Sequence, residues 1–285
     1  MKRWFRGDRG MRFYAIAVYL FLYAPLGVIA LFSFSAGRSA SDFHGFSLQW
    51  YATAAGNRLV IEALLNSLLV AFVSSAIATL FGTAAALMLP RLKGGFRIAF
   101  DALTYVAIMV PGIVIGISTL IALATTFNVL NPLLMGDAPG APPLGFGFGS
   151  LICAHSLFAM ALVIVIVKAR LAGMDRSMVE ASMDLYADPW GTFRQVTLPQ
   201  LMPAVIAGFL LSFTFSLDDY VIASFVAGSR VTLPIYVFAS IRRGVTPEIN
   251  AIGTTVMVFS LAMLMVSQVL LRRQSRKSAP KPAAA

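Results

Sequence analysis

The chain has 285 residues, 59% apolar and only 12% charged, with a formal net charge of +10 and a mean hydropathy of +0.82. Soluble domains carry about 25% charged residues, so this composition cannot clothe a water-exposed globule and the chain reads as an all-α integral membrane protein. Its basic residues lie in short segments between apolar runs, which excludes a nucleic-acid binder, and one cysteine, Cys153, with two histidines, His44 and His155, excludes disulfide frameworks and Cys/His metal clusters.

Because a helix needs about 20 apolar residues to cross the hydrocarbon, charge-poor windows set the predicted elements. They fall at about 13–37, 62–90, 98–127, 150–168, 200–227 and 247–271, within a single transmembrane domain over 1–271. The first window is too long for a signal-peptide core and is taken as a retained span. Pro111 and Gly112 predict a kink in the third. Residues 220–241 are apolar but broken by Gly228, Arg230 and Pro234, and either end the fifth span, fold back as a re-entrant segment, or form a seventh.

Charge placement decides the span number, since short cytoplasmic loops collect Lys and Arg. The N-terminal segment carries five basic residues (Lys2, Arg3, Arg6, Arg9, Arg12) and the C-terminal tail five more (Arg272, Arg273, Arg276, Lys277, Lys281). Both ends are therefore expected in the cytoplasm, which requires an even number of spans. Arg91 to Arg97 adds three, and Lys168, Arg170, Arg176 and Arg194 add four, so alternate connections hold 17 of the 22 basic residues. Six spans fit. The outer segment with Arg230, Arg242 and Arg243 follows the rule less well. The tail, 272–285, reads as disordered and solvated.

The connection over 169–199 is longer than two antiparallel spans need, and its pattern is helical. Leu171, Met174, Met178 or Val179, Ser182 and Leu185 recur at three- or four-residue steps, predicting an amphipathic helix. Asp188 and Pro189 supply an N-cap and a first-turn proline for a second helix. Trp190, Phe193 and Val196 lie on one side of it, and Pro199 is expected to stop it. Such a hairpin either lies in the lipid interface or contacts a partner.

Glu180-Ala181-Ser182, then Tyr186, then Val196-Thr197-Leu198-Pro199 resembles the signature loop of permease subunits of binding-protein-dependent ABC importers. Two positions depart from it: Ser182 replaces an alanine, and Tyr186 stands where the family usually has the turn glycine. Tyrosine disfavours a left-handed turn, so the turn is expected to move to Ala187-Asp188-Pro189. The resemblance implies a type I importer fold in a bacterial inner membrane. It implies two cytoplasmic ATPase subunits that bind ATP and Mg, a second related permease subunit and an extracytoplasmic solute-binding protein. It assigns ATPase coupling to Glu180, Ala181, Ser182, Asp184, Tyr186 and Pro199. With no G-x-x-x-x-G-K-[ST] loop, this chain is expected to catalyse no reaction and to bind no cofactor or metal of its own.

The run Ser216-Leu-Asp-Asp-Tyr-Val-Ile-Ala-Ser-Phe-Val-Ala-Gly228, with Thr232-Leu233-Pro234 and Val245-Thr246-Pro247-Glu248-Ile249-Asn250, is similar to the second permease subunit of the spermidine/putrescine branch. Related permeases for iron chelates, phosphonates or opines share much of this pattern. An ion-coupled secondary transporter would instead show inverted repeats and relay residues, and neither stands out.

Asp218 and Asp219, followed by Tyr220, are the acids set deepest in apolar sequence. A carboxylate at the bilayer centre costs about 2.5–3.5 kcal/mol, so the pair faces protein or water. With the helix starting near Pro199, Asp218 falls about 27 Å along it. The pair then marks either the water interface or the path of a cationic solute, whose ammonium groups need partners once dehydrated. Glu62 and Glu248 read as helix-start acids, and His155 as a hydrogen-bonded packing residue in preference to a proton relay.

Overall fold

The computed structural model describes residues 9–37, 43–135, 144–175 and 177–277. Lys2, Arg3 and Arg6, part of the 128–149 connection, and the tail beyond Lys277 lie outside the described residues. Two compact units form, one from residues 1–61 with 237–259 and one from 62–236 with 260–285. Apart from an isolated bridge between Ser35 and Phe46, the regular secondary structure of the described residues is helical.

Six helical stretches are long and apolar enough to cross a membrane: Gly10–Phe32, Arg58–Arg91, Gly112–Leu133, Phe148–Ala172, Pro189–Asp218 and Pro247–Val269. In the first unit, α1 (Arg9–Phe32) leaves its apolar side chains uncovered, Phe13 and Phe21 among them. A helix apolar all round and uncovered by its own chain meets lipid or another subunit. Its end is pinned to α2 (Gln49–Gly56). Ser33 Oγ lies 2.7 Å from the Tyr51 hydroxyl, and Trp50 Nε1 donates to the Ser35 carbonyl at 2.9 Å. Asn57 Nδ2 donates to Glu248 Oε1 at 3.0 Å, so Glu248 has a side-chain partner beyond its own helix start.

The second unit contains α3 (Arg58–Met88) from residue 62 onward, and a 3₁₀ turn, Leu89–Arg91, follows it. The third window divides here. Val110 is extended, with φ −67° and ψ 132°, because a residue before proline is pushed out of the α region. What the sequence suggests as one kinked helix is two: α4 (Gly95–Met109) and α5 (Gly112–Met135). The 15 residues of α4 rise only about 22 Å. Asp101 on α4 pairs with Lys168 Nζ of α6 (Phe148–Ala172), and that ammonium also lies 5.6 Å from the Tyr105 ring centroid.

Helix α6 packs against α4, α5, α9 (Leu198–Asp218) and α10 (Val221–Val226). Small residues let its neighbours approach closely. A Cβ on Gly82 of α3 would lie 2.9 Å from Val163 Cβ, and one on Gly208 of α9 would lie 3.5 Å from Val163 Cγ1. Ala86, Val163, Val167 and Leu201 form a buried cluster there, extended by Leu171 and Met174.

Residues 220–241 are not one continuous helix. Helix α9 stops at Asp218 and Asp219 is extended. The six-residue α10 then buries Ile222, Ala223 and Val226 in a core with Val70, Leu151 and Ala154. Interrupted helices at membrane depth are tolerated where protein covers them. Gly228 follows with φ +58°, and a Cβ there would lie 2.4 Å from the Phe146 carbonyl oxygen. Only glycine fits that turn. Helices α11 (Leu233–Arg243) and α12 (Pro247–Lys277) complete the chain. Residues 272–277, expected to belong to a disordered tail, continue α12.

Candidate coupling hairpin and solute-path site

The hairpin starts later than its sequence pattern suggests. Leu171 still belongs to α6, and the first hairpin helix is the eight-residue α7, Ser177–Asp184. The Asp175 carboxylate accepts from the Ser177 backbone N–H at 2.9 Å, which holds its pKa below the ordinary value. Val179 and Ser182 are half-buried, while Glu180, Ala181 and Asp184 are exposed. Ser182 Oγ lies 3.0 Å from Thr192 Oγ1 across the hairpin.

The turn itself corrects the expectation drawn from Tyr186. Tyr186 has φ +62°, the only non-glycine residue with positive φ among those described. The amide of Ala187 donates to Ser182 O at 3.1 Å and the amide of Tyr186 donates to Met183 O at 2.9 Å. These two bonds make a Schellman termination with tyrosine in the position glycine normally fills. The turn does not move to Ala187-Asp188-Pro189, because those bonds satisfy two carbonyls at the end of α7. The Tyr186 ring is 98% exposed.

Asp188 caps α8 (Pro189–Thr192) as the sequence suggests. Its Oδ2 accepts from the Trp190 amide at 3.2 Å and the Gly191 amide at 3.1 Å, with Pro189 in the first turn. Pro199 does not stop the helix. A π turn over Phe193–Thr197 widens the backbone ahead of the proline, Thr197 and Leu198 stay helical, and α8 runs through into α9. The hairpin's second arm and the fifth span are thus one helical stretch of 30 residues. Pro199 lies exposed in its course. Met178, Met183, Leu185, Tyr186 and Trp190 are all exposed on the hairpin.

At the other end of α9 the two acids take different partners. Asp218 is exposed, and Ser260 Oγ lies 3.1 Å from its Oδ2. Ser260 stands about 20 Å into α12, so this carboxylate sits beside the interior of a span. Asp219 Oδ2 accepts from the Ala223 amide at 2.9 Å, tying it to the start of α10, and lies 3.5 Å from His155 Nε2. Tyr220 is half-buried at the α10 entry. His155 is missed as a site candidate by sequence reasoning, because no local pattern reveals a partner 61 positions away. Its Nδ1 is 2.6 Å from Ser216 Oγ, which is 3.1 Å from Ser74 Oγ.

The model of the binding-protein-dependent transport system inner membrane component family matches residues 78–279. The chain belongs to this family. It is 36% identical over 263 residues to the spermidine/putrescine transport system permease protein PotC of Haemophilus influenzae, covering 92% of this chain and 96% of that protein. It is 37% identical over 242 residues to the putrescine transport system permease protein PotI of Escherichia coli, covering 84% and 82%. Its fold matches a chain of a bacterial ABC transporter involved in import of the acidic polysaccharide alginate. That match has a TM-score of 0.66 at 14% identity, covering 93% of this chain and 94% of the other. Family membership makes the chain a multi-pass transport permease subunit, and the family match spans the hairpin and both acids.

Proposed function

We propose that this chain is the polyamine-conducting permease subunit of an ATP-driven importer in a bacterial inner membrane. Both termini face the cytoplasm, and residues 1–271 act as one permease domain. Two cytoplasmic ATPase subunits bind ATP and Mg, a second related permease subunit completes the pathway, and an extracytoplasmic binding protein delivers solute. The mechanical part of this reading rests on one observation: an exposed apolar elbow continuous with the fifth span. Glu180, Ala181, Ser182, Asp184 and Tyr186 form the elbow's contact surface, and Pro199 lies in the helix that carries motion from it. A rigid helical body transmits a displacement that a flexible loop would absorb.

The solute assignment is supported by the relatives' names and by Asp218 and Asp219, with Tyr220 beside them. An exposed carboxylate next to a span interior belongs in water or against protein rather than lipid. Dehydrated ammonium groups gain most from ionised acceptors. Alternating access then presents the Asp218–Tyr220 segment to one side and the other as the hairpin moves.

Proteoliposomes containing the full assembly test the reading. ATP-dependent uptake of putrescine or spermidine is expected, with iron chelates, phosphonates and opines failing to compete. Asp218→Asn and Asp219→Asn are expected to depress uptake while the complex assembles normally. Parent-like kinetics in both single variants and the double variant would remove the solute-path assignment. Uptake without ATPase subunits, driven by an ion gradient, would replace the importer with a secondary transporter.

A further inference from the structure

A buried polar chain links three spans to the break between α9 and α10. Ser74 of α3 is fully buried and His155 of α6 is 3% exposed. Ser74 Oγ, Ser216 Oγ and His155 Nδ1 follow one another at 3.1 and 2.6 Å, and His155 Nε2 faces Asp219 Oδ2 at 3.5 Å. That distance exceeds the 2.7–3.2 Å of a formed bond, and Nε2 has no hydrogen-bond partner. A buried nitrogen held this way is costly unless its neighbour gives something back.

The Ser216 hydroxyl can donate or accept, so the Asp219 carboxylate decides which nitrogen of a neutral imidazole carries the proton. One arrangement has Ser216 accepting from His155 Nδ1–H, which leaves the Nε2 lone pair against the Asp219 carboxylate, acceptor facing acceptor. In the other, Ser216 donates to Nδ1 and Nε2–H points at the carboxylate, while Ser74 Oγ lies beside Ser216 and donates to the Ala71 carbonyl at 3.3 Å. With a neutral imidazole beside an ionised Asp219 the second is the consistent arrangement, and it places an N–H against the carboxylate. The carboxylate oxygen concerned also receives the Ala223 amide. Asp219 is thus held from one side by the start of α10 and faced from the other by a histidine whose Nδ1 is anchored by Ser216 of α9.

We propose that His155 is a positioning residue for solute recognition. Its Nε2–H aims the Asp219 carboxylate and thereby sets the affinity of the path for an ammonium-bearing solute. This inference rests on the reading of Asp219 as a solute-path group. It gives the Ser74–Ser216–His155 chain a role beyond packing, since packing alone asks for no charge-directed donor.

The test uses the complete reconstituted importer, with putrescine as the probe and the amount of assembled complex measured in parallel. The Nε2–H faces the carboxylate at 3.5 Å, longer than a formed bond, so its loss is expected at or below the low end of hydrogen bonds to charged groups, and His155→Leu is expected to raise KM by up to about tenfold with little change in maximal rate. His155→Gln keeps an N–H donor and is expected to stay within about threefold of the parent. Combining His155→Leu with Asp219→Asn is expected to be no worse than Asp219→Asn alone, because the shared interaction is already gone. If His155→Leu fails to assemble, His155→Asn takes its place, with the same expected rise in KM because its amide falls short of Asp219. Parent-like KM in the donor-deficient variant, equal damage from Gln, or multiplying losses in the double variant would overturn the inference and leave the Asp219 assignment standing. Unchanged KM in Asp219→Asn would instead remove that assignment and the inference with it.

Discussion

Replacing Tyr186 by glycine isolates the backbone cost of the hairpin turn. Tyr186 has φ +62° and its side chain is 98% exposed, so substitution removes almost no packing. A left-handed residue with a Cβ costs about 1–2 kcal/mol, and the greater freedom of unfolded glycine returns about 0.5–1 kcal/mol of that. A net gain of about 0.5–1 kcal/mol is expected, or about a two- to fivefold lower population of the frayed turn. The two amides that report it are those of Tyr186 and Ala187, bonded to Met183 and Ser182. Hydrogen exchange followed by mass spectrometry on the purified complex should show slower exchange in the peptide covering them by that factor. Tyr186→Ala keeps a Cβ, and its exchange should match the parent. Equal protection in the Gly and Ala variants, or faster exchange in Gly, would refute the assignment of strain to this residue.

Gly228→Ala is expected to destabilise the second unit. Its Cβ would lie 2.4 Å from a carbonyl oxygen at a positive φ, combining about 1–3 kcal/mol of overpacking with about 1–2 kcal/mol of backbone strain. A thermal melt monitored by size-exclusion chromatography should show a clear drop, and a parent-like midpoint would contradict the close approach. Asp188→Ala removes the cap on α8 and should cost about 1 kcal/mol locally. Exchange of the Trp190 and Gly191 amides should accelerate about fivefold, whereas unchanged exchange would mean the cap carries no weight.

The spans were legible because apolar length is a strong and local signal, and the Asp188 cap because a cap is encoded within three residues. What escaped was decided by tertiary or backbone geometry. Pro111 splits a helix that composition alone treats as continuous, because the constraint acts on Val110 rather than on hydropathy. Pro199 sits in an unbroken helix because a π turn absorbs it, and no residue pattern announces a π turn. Tyr186 adopts a conformation its side chain disfavours because two carbonyls at the end of α7 require the bonds that conformation provides. The acids stood out as charges in apolar sequence, but the partners that differentiate them, Ser260 and His155, come from other helices.

In the proposed importer the exposed elbow meets a separate ATP-hydrolysing subunit and passes its motion to the spans. Cys153, the sole cysteine, can be replaced by serine, and a single cysteine placed at Leu185, which is 81% exposed, can carry a photoactivatable crosslinker in the assembled importer. A crosslink to the ATPase subunit is expected, with a yield that changes when ATP is bound. Crosslinks to lipid alone, in complexes that contain the ATPase and hydrolyse ATP, would contradict it.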